Sequence, residues 1–265
     1  MGSTAQSPAV TTHPHPAVLY PDVAARGSLA AALQAVAEEC GFAVSVTSPD
    51  SSPLSHAAAE SGLPYRKALI VSSWVAERRW SVRGEEPFEG SAVIRGDTDD
   101  LAQVAGAARA WQDGVALGDI RQAAPFVRLT GRFEVPEPDP VRLTESEWQR
   151  MRTEAGEQDR PAYQALIEAA YAEPVLRRLY PFTSHWTLRF STTTRPNLTL
   201  IGPCLLADRV EQGYTVSKGF TGTGLPAEAA TAQEAVAAAV RHLPEDPGPV
   251  TFGAIRDGRR SRSGA

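Results

Sequence analysis

Residues 214–243, YTVSKGFTGTGLPAEAATAQEAVAAAVRHL, constrain the fold more than any other stretch of the chain. Tyr214-Thr215-Val216 has the alternation of a strand, and Gly219, Gly222 and Gly224 break it. Thr231 and Glu234 then stand at the spacing of a capping box, in which hydroxyl and carboxylate each satisfy an orphaned backbone N–H. Val236, Val240 and Leu243 fall on one helical face, and Pro244 forbids continuation. A strand, a turn and a one-sided helix in so short a span bury their apolar sides by packing the helix on a sheet. The class this implies is α+β.

A fainter copy of the pattern lies upstream in Trp80–Trp111. Trp80-Ser81-Val82 aligns with Tyr214-Thr215-Val216, Thr98 with Thr231, and Arg109 with Arg241 after a one-residue shift. The expectation is two duplicated halves, each a small mixed or antiparallel sheet with helices packed on one side. Any strand, turn and alanine-rich helix would align as well, so coincidence stays open. Proline at every second position from Pro136 to Pro140 favours an extended linker. Residues 135–140 are therefore read as a hinge between an N-terminal half, 21–134, and a C-terminal half, 141–250. Residues 1–20 and 251–265 are read as a polar disordered tail and a basic tail.

Within the halves, Ser28 is placed to cap a helix carrying Leu29, Leu33, Val36 and Cys40 on one face, closed by Gly41. Short strands are expected at Phe42–Val46, Ala68–Trp74, Phe126–Leu129 and Trp186–Ser191. Thr98 is expected to cap a helix bearing Leu101, Val104, Ala105, Ala108 and Trp111. Thr144 and Glu147 read as a second capping box, flanked by the staple pair Leu143 and Trp148, with a helix from Glu145 to about Thr153. Pro161 opens another helix, whose buried stripe is Tyr163, Leu166, Ile167, Ala170 and Tyr171. All five tryptophans occupy positions expected in the core.

The net charge of −5 disfavours a general nucleic-acid binder, which gains its affinity by neutralising phosphates. No apolar run approaches the roughly 20 residues of a membrane helix, and the first residues lack the basic and apolar regions of a secretory signal. The expected location is the cytoplasm, with no membrane partner. Cys40 and Cys204 are too few for a four-cysteine zinc site and read as buried reduced thiols. No metal site is expected, and the pattern selects no cofactor.

Asp97, Asp99 and Asp100, in RGDTDD, are the candidate catalytic residues, because close carboxylates can serve as base or hold a cation. At the start of a helix the same residues can instead act as caps and favour the positive end of its dipole. Arg79, Arg83 and Arg95 are candidate ligand-binding residues, since a guanidinium pairs carboxylate or phosphate through two hydrogen bonds. His185 is a further ligand-binding candidate as a proton shuttle. The glycines between Tyr214 and Thr231 fit neither GxGxxG nor GxxxxGK[ST] and read as a turn.

The segments HWTLRFSTTTRPNLTLIGPCLLADRVEQGYTV, TAQEAVAAAVRHLP and RGDTDDLAQVAGAARAWQDG together resemble an actinobacterial family of unknown function, labelled natural product biosynthesis protein. The similarity spans roughly residues 20–250. It implies an association with specialised-metabolite gene clusters, and no site residues come with it. The expected function is an accessory protein that binds a pathway enzyme or an intermediate. One alternative is a small cofactor-independent or metal-assisted enzyme performing cyclisation, elimination or hydrolysis on an anionic intermediate. A second is a self-associating structural protein.

Overall fold

The computed structural model describes residues 14–208, 213–217 and 227–253. Gly219, Gly222 and Gly224 lie outside the described residues, as do residues 1–13 and 254–265 of the two expected tails. In chain order the elements begin with α1 (Pro16–Leu19), α2 (Pro21–Ala25), α3 (Leu29–Glu39), β1 (His56–Ala59), β2 (Leu69–Ser73) and β3 (Trp80–Glu85). They continue with β4 (Ala92–Thr98), α4 (Leu101–Gln112), α5 (Leu117–Ala123), β5 (Val127–Leu129), α6 (Pro140–Glu157), α7 (Pro161–Ala172) and α8 (Pro174–Arg177). The remainder are β6 (Tyr180–Ser184), β7 (Thr187–Ser191), β8 (Thr193–Pro196), β9 (Leu200–Ala207), β10 (Tyr214–Ser217), β11 (Ala227–Ala229), α9 (Ala232–Arg241) and β12 (Thr251–Gly253). Among the described residues the strands form two five-stranded sheets and one two-stranded sheet, an α+β architecture.

The chain divides into two compact units. One holds residues up to 63 with 67–84 and 94–128; the other holds 64–66, 85–93 and the residues from 129 onward. Residues 135–140, read as a hinge, thus fall inside the second unit. Val135 is buried there, and Pro140 is the first residue of α6. The alternating prolines shape a helix entrance, because proline at the first helical position lacks only an N–H that would have no partner anyway.

The first unit is built on the sheet β1-β2-β3-β4-β5. Its register pairs Ala58 with Ile70 and Ile70 with Arg83, so those three side chains share one face. Leu69, Val71, Trp80, Val82 and Ile94 are buried, while Ile70, Arg83, Arg95 and Asp97 are exposed. The buried side is covered by helices: α3 packs on β1, and α4 packs on β1 and β2. The Trp111 ring sits so close to Gly84 that a Cβ there would lie 2.5 Å from it, and the indole N–H donates to the Lys67 carbonyl at 2.9 Å.

Five expectations change here. Tyr20, expected at the end of a tail, is fully buried; its hydroxyl lies 2.8–3.0 Å from the carbonyls of Trp74, Glu77 and Arg79. Phe42–Val46 is not a strand, because Ser45 gives its N–H to the Gln112 side chain and only Thr47 pairs with Ala58. Trp74 is 39% exposed, and Cys40 is exposed at the end of α3. Asp100, not Thr98, caps α4: it accepts from Ala102 N at 2.8 Å, while Thr98 is the last residue of β4.

In the second unit α6, α7 and α9 cover the antiparallel sheet β11-β10-β9-β7-β6. Its core gathers Trp148, Tyr163, Leu166, Ile167, Leu188, Phe190, Leu205 and Val236. The Thr231–Glu234 capping box and the α7 stripe Tyr163, Leu166, Ile167 and Ala170 stand where the pattern put them. Leu188 and Phe190 alternate inward on β7, but Trp186 belongs to the turn before it, at φ +68° after His185 at φ +52°. The parallel pair β12 and β8 is closely packed, for a Cβ on Gly253 would overlap the Thr194 carbonyl.

The expected capping box at Thr144 and Glu147 is absent. Helix α6 begins earlier, with Asp139 accepting from Val141 N at 2.9 Å, so both residues lie inside it and are buried. A helix start is local chemistry, yet two segments here offer it. The chain takes the one whose choice frees Glu147 for a buried cation.

Candidate functional site

The first unit has a shallow groove of about 370 Å³ on the solvent side of its sheet. Arg83 from β3, Arg95 and Asp97 from β4, and Arg128 from β5 line it, with Ser81. The alternation of each strand makes this convergence, because every second residue of β3 and β4 turns away from the helices. Three of the sequence candidates, Arg83, Arg95 and Asp97, therefore meet. Arg128 joins them through sheet order, a neighbour that spacing along the chain does not reveal.

The other candidates go elsewhere. Asp100 is the cap of α4, and its second carboxylate oxygen accepts from Gln103 Nε2 at 3.2 Å. Asp99 is exposed in the bend before α4 and does not line the groove. Arg79 lies in the turn between β2 and β3, 3.1 Å from Glu77 and over the Trp74 ring at 5.4 Å. His185 belongs to the second unit, in the β6–β7 turn, where its Nδ1 lies 3.3 Å from the Ser184 hydroxyl. It lines a separate groove of about 490 Å³ with Trp186 and with Arg160, which stacks over Trp186 at 4.3 Å.

The second unit contains a charged cluster that sequence spacing conceals. Arg132, with its side chain 2% exposed, donates to Glu89 at 2.9 Å and to Glu147, and Arg150 donates to Glu147 at 2.8 Å. Tyr180 donates its hydroxyl to Glu89 at 3.0 Å. Burial pushes the Glu89 carboxyl up despite Arg132 beside it, and burial with the nearby Glu89 pushes the Tyr180 phenol up. Glu89 Oε1 and Arg132 Nε have no hydrogen-bond partner among the described residues. The turn carrying Glu89 is fixed by Glu86, whose carboxylate accepts the N–H groups of Phe88, Glu89 and Ser91 at 2.6–3.1 Å. Such a closed cluster organises the interior and presents no surface to a ligand.

A larger groove, about 870 Å³, opens in the same unit between the start of α6, the end of α8 and residues 246–250. Its walls are mainly apolar, from Val141, Pro174, Pro247, Pro249 and Val250. Thr144 lies in the wall and is buried, and its hydroxyl has no hydrogen-bond partner among the described residues. Around the rim, Arg177 is paired with Glu145 at 3.1 Å, and Glu145 also accepts from Tyr171 and Gln149, both at 2.7 Å. These donors hold the Glu145 carboxyl below its ordinary range against the opposing effect of burial, the largest single influence. Asp246 accepts from Gly248 N at 3.0 Å. Arg178 is exposed on the rim with no ion-pair partner among the described residues. Nothing in the spacing of Thr144, Arg178 and Val250 signals this assembly, since only the packing of α6 on α8 and the return of the chain near β12 create it.

Among the described residues no helix is long and apolar enough to cross a membrane, and no group of three or more His, Cys, Asp or Glu could hold a metal ion. Residues 142–254 match the model of DUF6193, described as a family of unknown function. This stretch runs from the first turn of α6 to β12 and contains nearly all the lining of the larger groove. No curated protein and no solved structure matches the chain.

Proposed function

We propose that the protein is an accessory component of specialised-metabolite biosynthesis that holds a pathway intermediate in the groove bounded by α6, α8 and residues 246–250. The single observation that carries the reading is the groove itself, about 870 Å³ with mainly apolar walls and Arg178 exposed on its rim. Arg178 adds an exposed cation at the rim that has no ion-pair partner among the described residues. The chemistry that fits is an amphiphile: an apolar body along the proline and valine walls and an anionic end at Arg178. The dispersal of Asp97, Asp99 and Asp100 into a groove, a bend and a cap supports binding over acid–base catalysis by the three together. The resemblance of the sequence to a biosynthesis-associated family supports the cellular setting.

The test is metabolite profiling of the encoding strain with this gene deleted and then restored. Deletion is expected to change the level of a defined intermediate, and wild type is expected to restore it. Arg178→Glu with Val141→Arg, shown to be folded by circular dichroism, is expected to fail, whereas Asp99→Asn with Asp100→Asn succeeds because asparagine also caps helices. Rescue by the groove variant would overturn the reading. An unchanged metabolome after deletion would remove the biosynthetic setting.

A further inference from the structure

The groove of about 490 Å³ at the β6–β7 turn is independent of that reading, and among the described residues it shares no lining with the larger groove. Ser184 pairs with Thr187, so the hairpin reverses through His185 and Trp186 alone. Both stand in the left-handed region, at φ +52° and +68°, where a Cβ is crowded and a two-residue turn ordinarily carries asparagine and glycine. Such residues persist where the surrounding structure fixes their side chains, often at ligand sites. Here the turn sets the Trp186 ring perpendicular to Tyr163 at 5.5 Å and under the Arg160 guanidinium at 4.3 Å. Arg160, the residue before α7, makes no ion pair among the described residues, and its Nη1 has no hydrogen-bond partner there.

We propose that this groove binds an aromatic monocarboxylate, with its carboxylate on Arg160 and its ring along Leu206 beside Trp186. Stacking occupies a face of the guanidinium, whereas its N–H donors lie in the plane and point sideways. Trp186 therefore holds the fork in one orientation without using its donors, the arrangement that suits the two oxygens of a carboxylate. Leu206, 37% exposed, supplies an apolar wall with Ala207, and a flat ring continues the stack that Tyr163, Trp186 and Arg160 begin. Asp208 lines the same groove, so a single negative charge fits there better than a phosphate dianion.

Calorimetric titration of the full chain with naphthoate, naphthalenemethanol, naphthyl phosphate and acetate tests the proposal, because the four separate ring from charge. Naphthoate is expected to bind about tenfold or more tighter than each of the others, the scale of a charge-assisted pair of hydrogen bonds. In a nitrogen–proton correlation spectrum the Trp186 indole signal, identified by its loss in Trp186→Phe, is expected to move on adding naphthoate. Arg160→Gln is expected to lose about tenfold or more. Should that variant fail to fold, Arg160→Lys keeps the charge without the planar fork and is expected to lose severalfold. Leu206→Ser is expected to weaken naphthoate and leave acetate unchanged. Equal affinity for naphthoate and naphthalenemethanol, tighter binding of naphthyl phosphate, no binding of naphthoate at millimolar concentration, or an unmoved Trp186 signal would overturn the proposal. So would a loss of naphthoate from Arg178→Glu in place of Arg160→Gln, which would put the ligand in the larger groove.

Discussion

The groove of Arg83, Arg95, Asp97 and Arg128 in the first unit and the Glu89, Arg132 and Glu147 cluster of the second use the same residue types under opposite solvation. In the groove the four side chains are exposed, so each charge can be hydrated and costs little. In the cluster the side chains are at most 2% exposed, so each charge depends on its neighbours for what water no longer provides. Residue identity is therefore a poor guide to role, and burial separates a solvated surface from an internal strut.

The sharpest way to break the comparison is to remove the shared cation. Arg132→Met leaves Glu89 and Glu147 buried without it and is expected to cost about 3–5 kcal/mol in urea unfolding. Arg95→Ala in the groove is expected to change stability by less than about 0.5 kcal/mol. Equal losses would show that the groove too is a structural cluster.

A second, smaller effect is read from pH. The raised Glu89 pKa means that the fold favours its protonated form. That contribution is fully present below the unfolded value near 4.5 and is lost as pH rises through the folded pKa. Glu89→Gln can still accept from Tyr180 and Arg132 but cannot ionise. Its urea midpoint is expected to gain on that of wild type as pH rises above 4.5, and a constant difference would remove Glu89 as the titrating group.

Third, the aspartates of RGDTDD should separate by position. Asp100→Ala removes the α4 cap and is expected to cost about 1 kcal/mol, whereas Asp99→Ala, exposed and outside the cap, is expected to stay within about 0.5 kcal/mol. Asp97→Asn, exposed on β4, is expected to be the smallest change to stability. If Asp99→Ala matched Asp100→Ala, the cap would be shared.

The comparison also explains how much was legible beforehand. Arg83, Arg95 and Asp97 were visible as candidates because they are close in sequence on strands whose period turns them to one side. Arg128 was not, since its place beside β4 depends on the order of strands. Glu147 was read as a helix cap because Thr144 stands three residues before it, and the motif is identical whether a helix starts there or passes through. Arg132, the partner that draws Glu147 inward, lies in an earlier segment with no spacing signal. The groove at Thr144 and Arg178 was hidden for the same reason: residues from three separated segments build it.

By itself the sequence determined what local energetics decide: the α+β class, the Ser28 and Thr231 caps, the buried stripes of α4 and α7, and the inward alternation of Leu188 and Phe190. Each depends on periodicity or on hydrogen bonds within a turn or two of chain. Tertiary structure alone decided where α6 starts, which charges lose water, and which arginines share a surface. Those outcomes depend on desolvation and on neighbours from distant segments, and both exist only after the chain has packed.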